Sequence, residues 1–289
     1  MPGRRNQTTT TSPTDETNPN DNWFQQHCPS NQHQLIFTND TTQYPFHTLL
    51  SEWLDIPSSV TNLEQARTHF ESLLTSYFLN SEKKKEPIVL HPAIKHAYIS
   101  SKMTPPLSST MRHAKKNGLY TSKVFNKFMN MYRLFVRNVI LPIIHSDNQD
   151  VELLYQSPPT VRVVFPNSNK TISLHSDSSY PNHDPNEINF WIPLTQVYDS
   201  NSLYVESVPL SNDFTPLQMS YGQGCVFNGY ACRHFTERND TGGCRISFDF
   251  RVIPSFSEKE KKIQQIGDYG VEKMTREGCY LYWGVSHNS

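Results

Sequence analysis

The sequence predicts a mainly β protein with flanking helices. After about residue 150, eight short runs of β-forming residues follow one another with turn residues between them. Close and even spacing of this kind is typical of an antiparallel sandwich or barrel. Before residue 150, two segments show helical periodicity instead. The glycine patterns of dinucleotide-binding and P-loop folds are absent from the sequence, which therefore does not favour a nucleotide-binding α/β fold.

The two helical segments carry apolar side chains at helical spacing over residues 63–79 and 122–141. Pro142 is expected to end or kink the second helix, because proline lacks the N–H that continues the hydrogen-bond ladder. Each apolar stripe needs a partner surface, so we expect both helices to cover the outer face of the β core. The eight predicted strands are ELLYQS, TVRVVF, KTISLH, EINFWIPL, SLYVES, TPLQMSY, GCVFNGY and CRISFDFRVI.

The domain organisation follows from these patterns in four parts. Residues 1–22 are rich in Thr, Asn, Pro and Asp without periodicity, which predicts a disordered tail. Residues 23–150 are expected to form a mainly helical part that packs on the core. Residues 151–256 are expected to form the β core, and residues 257–289 a C-terminal extension that begins with a short charged helix.

The composition excludes several classes of protein. The chain has 26 Lys and Arg against 27 Asp and Glu, and this balance argues against a protein that coats nucleic acid. No apolar run reaches the 18 residues of a membrane span, and the N-terminus lacks the apolar segment of a secretory signal. The five cysteines form no C-x-x-C pair and are expected to be free thiols. A cytoplasmic location is therefore expected.

A candidate metal site begins at the end of the predicted strand KTISLH. His175 and Asp177 are two residues apart, so a strand would place both on one side. His234 follows 59 residues later, which is far enough for several strands to return to the same end of the core. Two imidazoles and one carboxylate form the facial triad of non-haem Fe(II) oxygenases, which leaves three of six metal positions open.

Two other metal sites are conceivable from residue types alone. His145 and Asp147 also form an H-x-D motif, but they follow a helix and precede NQD, as in a turn where no common face is enforced. We do not expect them to bind the metal. A zinc site would need four residues at spacings of 7, 2 and 10, which is not the pattern of a zinc knuckle. These four are Cys225, Cys232, His234 and Cys244.

The last predicted strand of the core alternates strongly. Ile246, Phe248, Phe250 and Val252 form its apolar face, and Arg245, Ser247, Asp249 and Arg251 form its polar face. The polar face either meets water or lines a polar cavity, because burying such groups without partners is costly. In a cavity, Arg245 would bind a carboxylate with two hydrogen bonds and Ser247 would add a third. Asp249 and Arg251 are expected to have no catalytic role.

Together these motifs resemble a known family. An H-x-D, a later His and an R-x-S are the pattern of 2-oxoglutarate/Fe(II)-dependent oxygenases. The sequence HSDSSY…HDPNEINFWIPLT…NSLYVES…FNG…RHFTERNDTGGCRISFDFRVIP resembles their phytanoyl-CoA-hydroxylase-like side, and there the branch typified by a streptomycin-biosynthesis oxygenase. The resemblance covers about residues 158–254 and implies a double-stranded β-helix (jelly-roll) core, with helices packed on one sheet.

The resemblance also implies roles for individual residues. His175, Asp177 and His234 match the iron ligands of the family, Arg245 matches the residue that binds the distal carboxylate of 2-oxoglutarate, and Ser247 matches its hydroxyl partner. The implied cofactors are Fe(II), 2-oxoglutarate as cosubstrate and O2, with ascorbate as an addition in vitro. The implied products are succinate, CO2 and an oxidised substrate. Related halogenases lack the carboxylate of the triad, so Asp177 favours hydroxylation.

A small polar metabolite is the expected substrate and the expected partner. The residues expected to shape its pocket are Arg162, Tyr180, His183, Asn189 and Trp191. Three alternatives stay open. The same chemistry could act on a protein or a nucleic acid, although the neutral charge speaks against nucleic acid. The core could be a non-catalytic jelly-roll binding protein, although an intact triad and R-x-S speak against it. A sugar-isomerase cupin would need more His ligands and no R-x-S. The sequence predicts no oligomeric state.

Overall fold

The architecture is that of two antiparallel β-sheets with helices on one outer face, in a computed structural model. The structure describes residues 19–28, 32–53, 56, 58–59, 123–145, 152–164, 166, 170–254, 265–266, 269–275 and 279–280. The helices are α1 (Pro19–His27), α2 (Phe46–Trp53), α3 (Lys123–Phe135) and α4 (Leu141–Ile144). The strands are β1 (Gln34–Thr38), β2 (Glu152–Ser157), β3 (Thr160–Val164), β4 (Ile188–Pro193), β5 (Leu203–Val205), β6 (Thr215–Pro216), β7 (Gln223–Phe227), β8 (His234–Thr236), β9 (Arg245–Pro254), β10 (Gln265–Ile266), β11 (Tyr269–Thr275) and β12 (Cys279–Tyr280).

The larger sheet has the strand order β1-β7-β4-β9-β2-β11-β10, with β3 paired to β9 and β12 to β11. The smaller sheet has the order β6-β5-β8. At its β8 edge, the segment 171–175 adds a short further pairing. This pairing consists of a β-bridge between His175 and His234 and a hydrogen bond of 3.1 Å from the Thr236 N–H to Ile172 O.

The strand order identifies the core as a jelly roll. From β3 to β9 the chain alternates between the sheets, except that β5 and β6 follow each other within the smaller one, and β3, β9, β4 and β7 lie side by side in the larger sheet. The segment 171–175, β8, β5 and β6 lie side by side in the other. Eight antiparallel segments in this double Greek-key order form a jelly roll. The predicted class, mainly β with flanking helices around a double-stranded β-helix core, is confirmed.

The apolar face of β9 packs against the helices. The ring centroid of Phe248 lies 4.9 Å from that of Phe46 in α2. It lies 6.1 Å and 6.5 Å from the ring centroids of Phe128 and Phe135 in α3. Edge-to-face aromatic contacts at such distances add to the burial of apolar area. The predicted helix over residues 122–141 therefore covers the outer sheet face as expected. The predicted helix over residues 63–79 lies outside the described residues.

Pro142 neither ends nor breaks the second helical segment. The helix continues to Ile144, because a π turn over Val136–Ile140 precedes the proline. In this turn the Leu141 N–H bonds to Val136 O, five residues back, which widens the helix. The wider turn accommodates the pyrrolidine ring, and the helix continues for two residues although Pro142 lacks the N–H on which the prediction was based.

Two further boundaries differ from the sequence-based ones. The tail predicted for residues 1–22 is wrong for residues 19–22, which belong to α1, while residues 1–18 lie outside the described part. The expected C-terminal extension supplies β11 to the larger sheet, where it pairs with β2. Glu272 of β11 holds Arg133 of α3 by a salt bridge of 2.7 Å and accepts a hydrogen bond from Tyr155. The predicted charged helix after residue 254 lies outside the described residues.

A membrane span was not expected, and none of the helices in the described ranges has the length and apolarity that crossing a bilayer requires.

Phe248→Ala is expected to lower the free energy of unfolding by about 3–5 kcal/mol, because it leaves a cavity between β9 and two helices. Phe248 is wholly buried. Urea unfolding of the full chain measures the loss. The control is Phe214→Ala, a partly buried ring that contacts Phe235, which should cost about 1 kcal/mol. Equal losses in both variants would contradict the packing described here.

Candidate metal centre and adjoining cavity

Main-chain pairing brings the two histidines of the predicted triad together. The His234 N–H bonds to His175 O at 2.8 Å, and the His175 N–H bonds to His234 O at 3.2 Å. Residues paired in this way place their side chains on the same face of the sheet. The two imidazole rings lie 4.4 Å apart between centroids. A separation of 59 residues in the sequence is therefore closed by one strand pairing.

Asp177 reaches the same point from a turn and not from a strand. It begins a 3-10 turn that ends at Ser179, and its N–H bonds to Gly229 O at 2.8 Å. A Cβ at Gly229 would lie 2.5 Å from the Asn189 side chain, so only glycine permits this close approach. The alternation argument gave the correct side for Asp177, although the predicted strand KTISLH is reduced to the bridge at His175.

The three side chains present their donor atoms to one point. Asp177 Oδ1 lies 3.5 Å from His175 Nε2 and 3.9 Å from His234 Nε2. Each imidazole Nδ1 contacts a main-chain carbonyl, that of Ser173 at 2.7 Å and that of Cys232 at 3.2 Å. Such contacts fix the tautomer, since Nδ1–H donates and the lone pair of Nε2 is left for a metal. Two imidazoles and a carboxylate on one face fit a divalent metal such as iron.

The electrostatics of the site favour the metal-binding protonation states. Burial acts to raise the pKa of Asp177, but the Arg251 guanidinium and the neighbouring His175 and His234 hold it well below its ordinary value. Burial lowers the pKa of His234 to about 4, against an opposing effect of Asp177. At neutral pH the site therefore offers an ionised carboxylate and a neutral imidazole, which are the forms that bind metal.

A cavity of about 390 Å³ adjoins the triad between the two sheets. The five residues predicted to shape a substrate pocket all line it: Arg162, Tyr180, His183, Asn189 and Trp191. Three of them are engaged with carboxylates. Arg162 holds Asp249 with two contacts, Nε to Oδ1 at 2.5 Å and Nη2 to Oδ2 at 3.2 Å. His183 Nδ1 lies 2.7 Å from Glu187, and Asn189 donates to Asp177 Oδ2 at 2.8 Å.

Arg245 lies behind the cavity wall on the predicted face of β9. It is 1% exposed, its Nη1 donates to the carbonyls of Asn201 and Ser202, and its guanidinium covers the Trp191 ring. Arg245 Nε and Ser247 Oγ have no hydrogen-bond partner among the described residues, where Arg245 also has no salt bridge. Neither side chain belongs to the cavity wall described above.

The positive charge of Arg245 favours the binding of an anion beside Arg245 and Ser247. Burial, the largest cause, and the nearby Arg162 together lower the pKa of Arg245 to about 9, with Asp249 opposing both. The guanidinium thus stays protonated at neutral pH. A buried cation that lacks an anionic partner is costly to the folded state. A carboxylate bound beside Ser247 would relieve that cost and satisfy both orphaned atoms.

The competing metal sites are not assembled in the described residues. His145 lies at the end of α4 outside the metal-competent clusters there, and Asp147 lies outside the described part. Cys225, Cys232 and Cys244 are buried and form no disulfide with one another, and no group of them with His234 has metal-ligand spacing in the ranges that are described. A second compact group shares Asp177 with the triad and adds His183 and Glu187.

Two functional contacts were not anticipated. Arg251, for which only a catalytic role was not expected, donates from Nε to Asp177 Oδ2 at 2.8 Å. Glu206 is wholly buried and accepts hydrogen bonds from the Arg233 N–H and guanidinium, which fixes the turn before His234. Alternation along β9 placed Arg251 on the correct face, but nothing in the sequence indicated its partner.

Comparison with known proteins gives one relative by sequence. Over 135 residues, 46% of this chain, the sequence is 34% identical to the streptomycin biosynthesis protein StrG of Streptomyces griseus. The chain spans about 60% of the length of that curated relative. The match agrees with the resemblance to the streptomycin-biosynthesis type. No model of a known protein family matches the chain.

Solved structures give weaker similarities. A non-heme monooxygenase, in the ThoJ–Ni complex, is 17% identical and has a TM-score of 0.38, with 56% of this chain and 66% of that chain covered. The non-heme alpha ketoglutarate dependent carbocyclase SnoK from nogalamycin biosynthesis is 11% identical and has a TM-score of 0.37, with 63% and 93% covered. TM-scores below 0.5 do not establish a common fold, so the jelly-roll assignment rests on the strand order.

The stability of the metal-free protein is expected to depend on pH through His234. Its folded-state pKa of about 4 lies below the value of about 6.5 in the unfolded chain, so the unfolded state binds more protons between these values. The stability is complete above pH 6.5 and falls as the pH drops toward 4, by up to about 3 kcal/mol from this group. Urea unfolding across that range should show a shallower slope for His234→Gln. An unchanged slope would contradict the buried neutral imidazole.

Proposed function

We propose that the chain is an Fe(II)- and 2-oxoglutarate-dependent oxygenase that hydroxylates or otherwise oxidises a small polar metabolite, with release of succinate and CO2. One observation carries the proposal. Three metal-donor atoms face one point at the wall of a cavity, and a buried arginine without a carboxylate partner in the described residues lies behind that wall. The sequence similarity to a streptomycin biosynthesis protein supports a small-molecule substrate.

His175 Nε2, Asp177 Oδ1 and His234 Nε2 would hold the iron. The donor set fits this metal, because imidazole nitrogens and one carboxylate oxygen are the ligands of facial-triad iron sites. When bound, the iron supplies a centre for oxidation by O2 coupled to oxidative decarboxylation of 2-oxoglutarate. The protein contributes a preformed site, since main-chain contacts hold both imidazoles in the metal-binding tautomer.

Arg245 and Ser247 would hold the distal carboxylate of 2-oxoglutarate. On binding, the Arg245 guanidinium would exchange its contacts with the carbonyls of Asn201 and Ser202 for a carboxylate. This exchange is favourable because hydrogen bonds between ionised groups are stronger than those to a neutral carbonyl. Ser247 Oγ, without a partner among the described residues, would donate to the same carboxylate.

The cavity would bind the substrate next to the metal. Its volume of about 390 Å³ is within the roughly 300–1,000 Å³ of small-molecule pockets. Tyr180 and His183 present polar groups to it, whereas Arg162 is already paired with Asp249. The protein would bind and orient the substrate there and keep water away from the reacting C–H bond. With Asp177 in the third protein position, we expect hydroxylation and not halogenation.

We place the reaction in the cytoplasm. Four described cysteines are buried and form no disulfide with one another, as is usual in a reducing compartment: Cys28, Cys225, Cys232 and Cys244.

His175→Ala is expected to weaken Fe(II) binding by more than about 100-fold, because it removes a direct ligand and leaves two donors. Anaerobic titration with Fe(II) measures the dissociation constant. His145→Ala is the matched control, since His145 belongs to the competing H-x-D motif. The metal assignment is wrong if His145→Ala abolishes binding and His175→Ala preserves it.

Arg245→Gln is expected to raise the dissociation constant of 2-oxoglutarate by about 30- to several-thousand-fold, as for loss of a buried charge-assisted pair worth about 2–5 kcal/mol. Iron binding should change little. The assay is succinate formation with Fe(II) and ascorbate over a panel of small polar substrates, together with direct titration of 2-oxoglutarate. Arg133→Gln, which breaks a salt bridge on the outer sheet face, is the control. If wild-type protein binds no 2-oxoglutarate, the proposed function is wrong.

A further inference from the structure

Each of the two carboxylate oxygens of Asp177 has its own set of neighbours. Oδ1 faces the two histidine Nε2 atoms, while Oδ2 accepts two hydrogen bonds of 2.8 Å, from Asn189 Nδ2 and from Arg251 Nε. Asp177 is 1% exposed, so water does not replace either donor. Oδ1 therefore faces the metal site, and Oδ2 faces the larger sheet.

The two donors to Oδ2 are fixed relative to each other by strand register. Asn189 of β4 and Arg251 of β9 are directly opposite residues in the antiparallel pairing of these strands. Side chains at such positions share one face of the sheet and lie side by side. The larger sheet therefore approaches Asp177 with an amide and a guanidinium at adjacent positions, and neither depends on the loop that carries Asp177.

Arg251 is also anchored at its far end by groups outside the triad. Its Nη1 donates to Gln156 Oε1 at 3.2 Å, and Gln156 is itself wholly buried and bonds to Thr160 at 3.0 Å. Glu187 Oε2 lies 3.8 Å from Arg251 Nε, and Glu187 is wholly buried and accepts from the Asp184 N–H at 2.8 Å. The guanidinium orientation is therefore set by buried partners that are not members of the His175–Asp177–His234 triad.

From this geometry, and resting on the proposed function, we propose that Arg251 is a positioning residue that keeps Asp177 a one-oxygen metal ligand. Asn189 assists it from the neighbouring strand. A carboxylate binds a metal through one oxygen or through both. A facial triad leaves three positions, of which 2-oxoglutarate needs two and O2 needs one. If Oδ2 turned to the metal it would occupy one of these three and compete with the cosubstrate.

The test loads the full chain anaerobically with Co(II), whose ligand-field absorption reports the number and geometry of its ligands. Three quantities are measured: the absorption spectrum, the dissociation constant of Co(II) and that of 2-oxoglutarate for the Co(II) protein. The variants are Arg251→Gln, which removes the cation, and Arg251→Met, which keeps the aliphatic stem without a donor. Arg251→Lys restores a cationic donor. Arg133→Gln is the matched control, because it breaks another partly buried arginine–carboxylate pair away from the site.

In the Gln and Met variants we expect an altered Co(II) spectrum, a change in Co(II) affinity below about 10-fold and a loss of 2-oxoglutarate affinity above about 10-fold. Arg251→Lys should recover the wild-type spectrum only in part, because one ammonium does not reproduce the contacts of the guanidinium with both Asp177 and Gln156. Arg133→Gln should retain the spectrum fully. If one of the Gln and Met variants does not fold, the other decides. Should neither fold, Arg251→Lys decides by comparison with Arg133→Gln, and a spectrum and cosubstrate affinity both equal to wild type then overturn the inference.

Two results overturn the inference and leave the proposed function intact. One is a wild-type spectrum in a folded Gln or Met variant with unchanged 2-oxoglutarate affinity. The other is a wild-type spectrum with lowered 2-oxoglutarate affinity, because Arg251 would then act only through its charge on the dianion. If the wild-type chain itself binds neither Co(II) nor 2-oxoglutarate, the proposed function fails, and the inference fails with it.

Discussion

The alternation of side chains along β9 (Arg245–Pro254) connects the fold to the candidate site. One face of this ten-residue strand carries Phe248 into the aromatic layer beneath α2 and α3. The other face carries Arg245 and Arg251 into the space between the sheets. Because side chains alternate with a period of two, a shift of one residue would exchange these faces completely. The packing that stabilises the helices on the sheet therefore also sets the register of the polar interior.

The interior of the jelly roll contains three buried or partly buried arginines, and two of them are paired with carboxylates in the described residues. Arg251 is paired with Asp177 and Arg162 with Asp249, and each pair has direct hydrogen bonds. Arg245 is more deeply buried than either of these arginines, but it has only carbonyl oxygens as acceptors in the described residues. Replacing charged groups of this kind by apolar ones is often neutral or stabilising, so their presence is not explained by stability. Perturbed ionisable groups around a cavity are typical of functional sites.

The metal-donor atoms are positioned by main-chain contacts and by hydrogen bonds from the larger sheet. His175 and His234 are a hydrogen-bonded pair at the edge of the smaller sheet, and each ring contacts a carbonyl of its own segment. Asp177 is tied to Gly229 through its N–H and to the larger sheet through Oδ2. The site thus lies where the two sheets meet. These contacts are all made within the protein, and such support of the donor atoms lowers the reorganisation that metal binding would require.

The sequence by itself determined the class of the fold, the faces of β9 and the residue types of the site. Those conclusions depend on local periodicity and on motif spacing, which survive folding because they are properties of neighbouring residues. The H-x-D at His175 was preferred over that at His145 on the same local grounds, and the structure places only the former with His234 in a metal-competent group of described residues.

Only the tertiary structure decided which residues meet. The contact of Arg251 with Asp177 joins positions 74 residues apart, and the opposition of Asn189 and Arg251 depends on the register of two strands. Alternation gives the face of a strand but not the partner across it. The passage of the helix through Pro142 and the return of β11 to the sheet were likewise decided by packing. Local propensity is too weak to settle such contacts, because tertiary burial outweighs it.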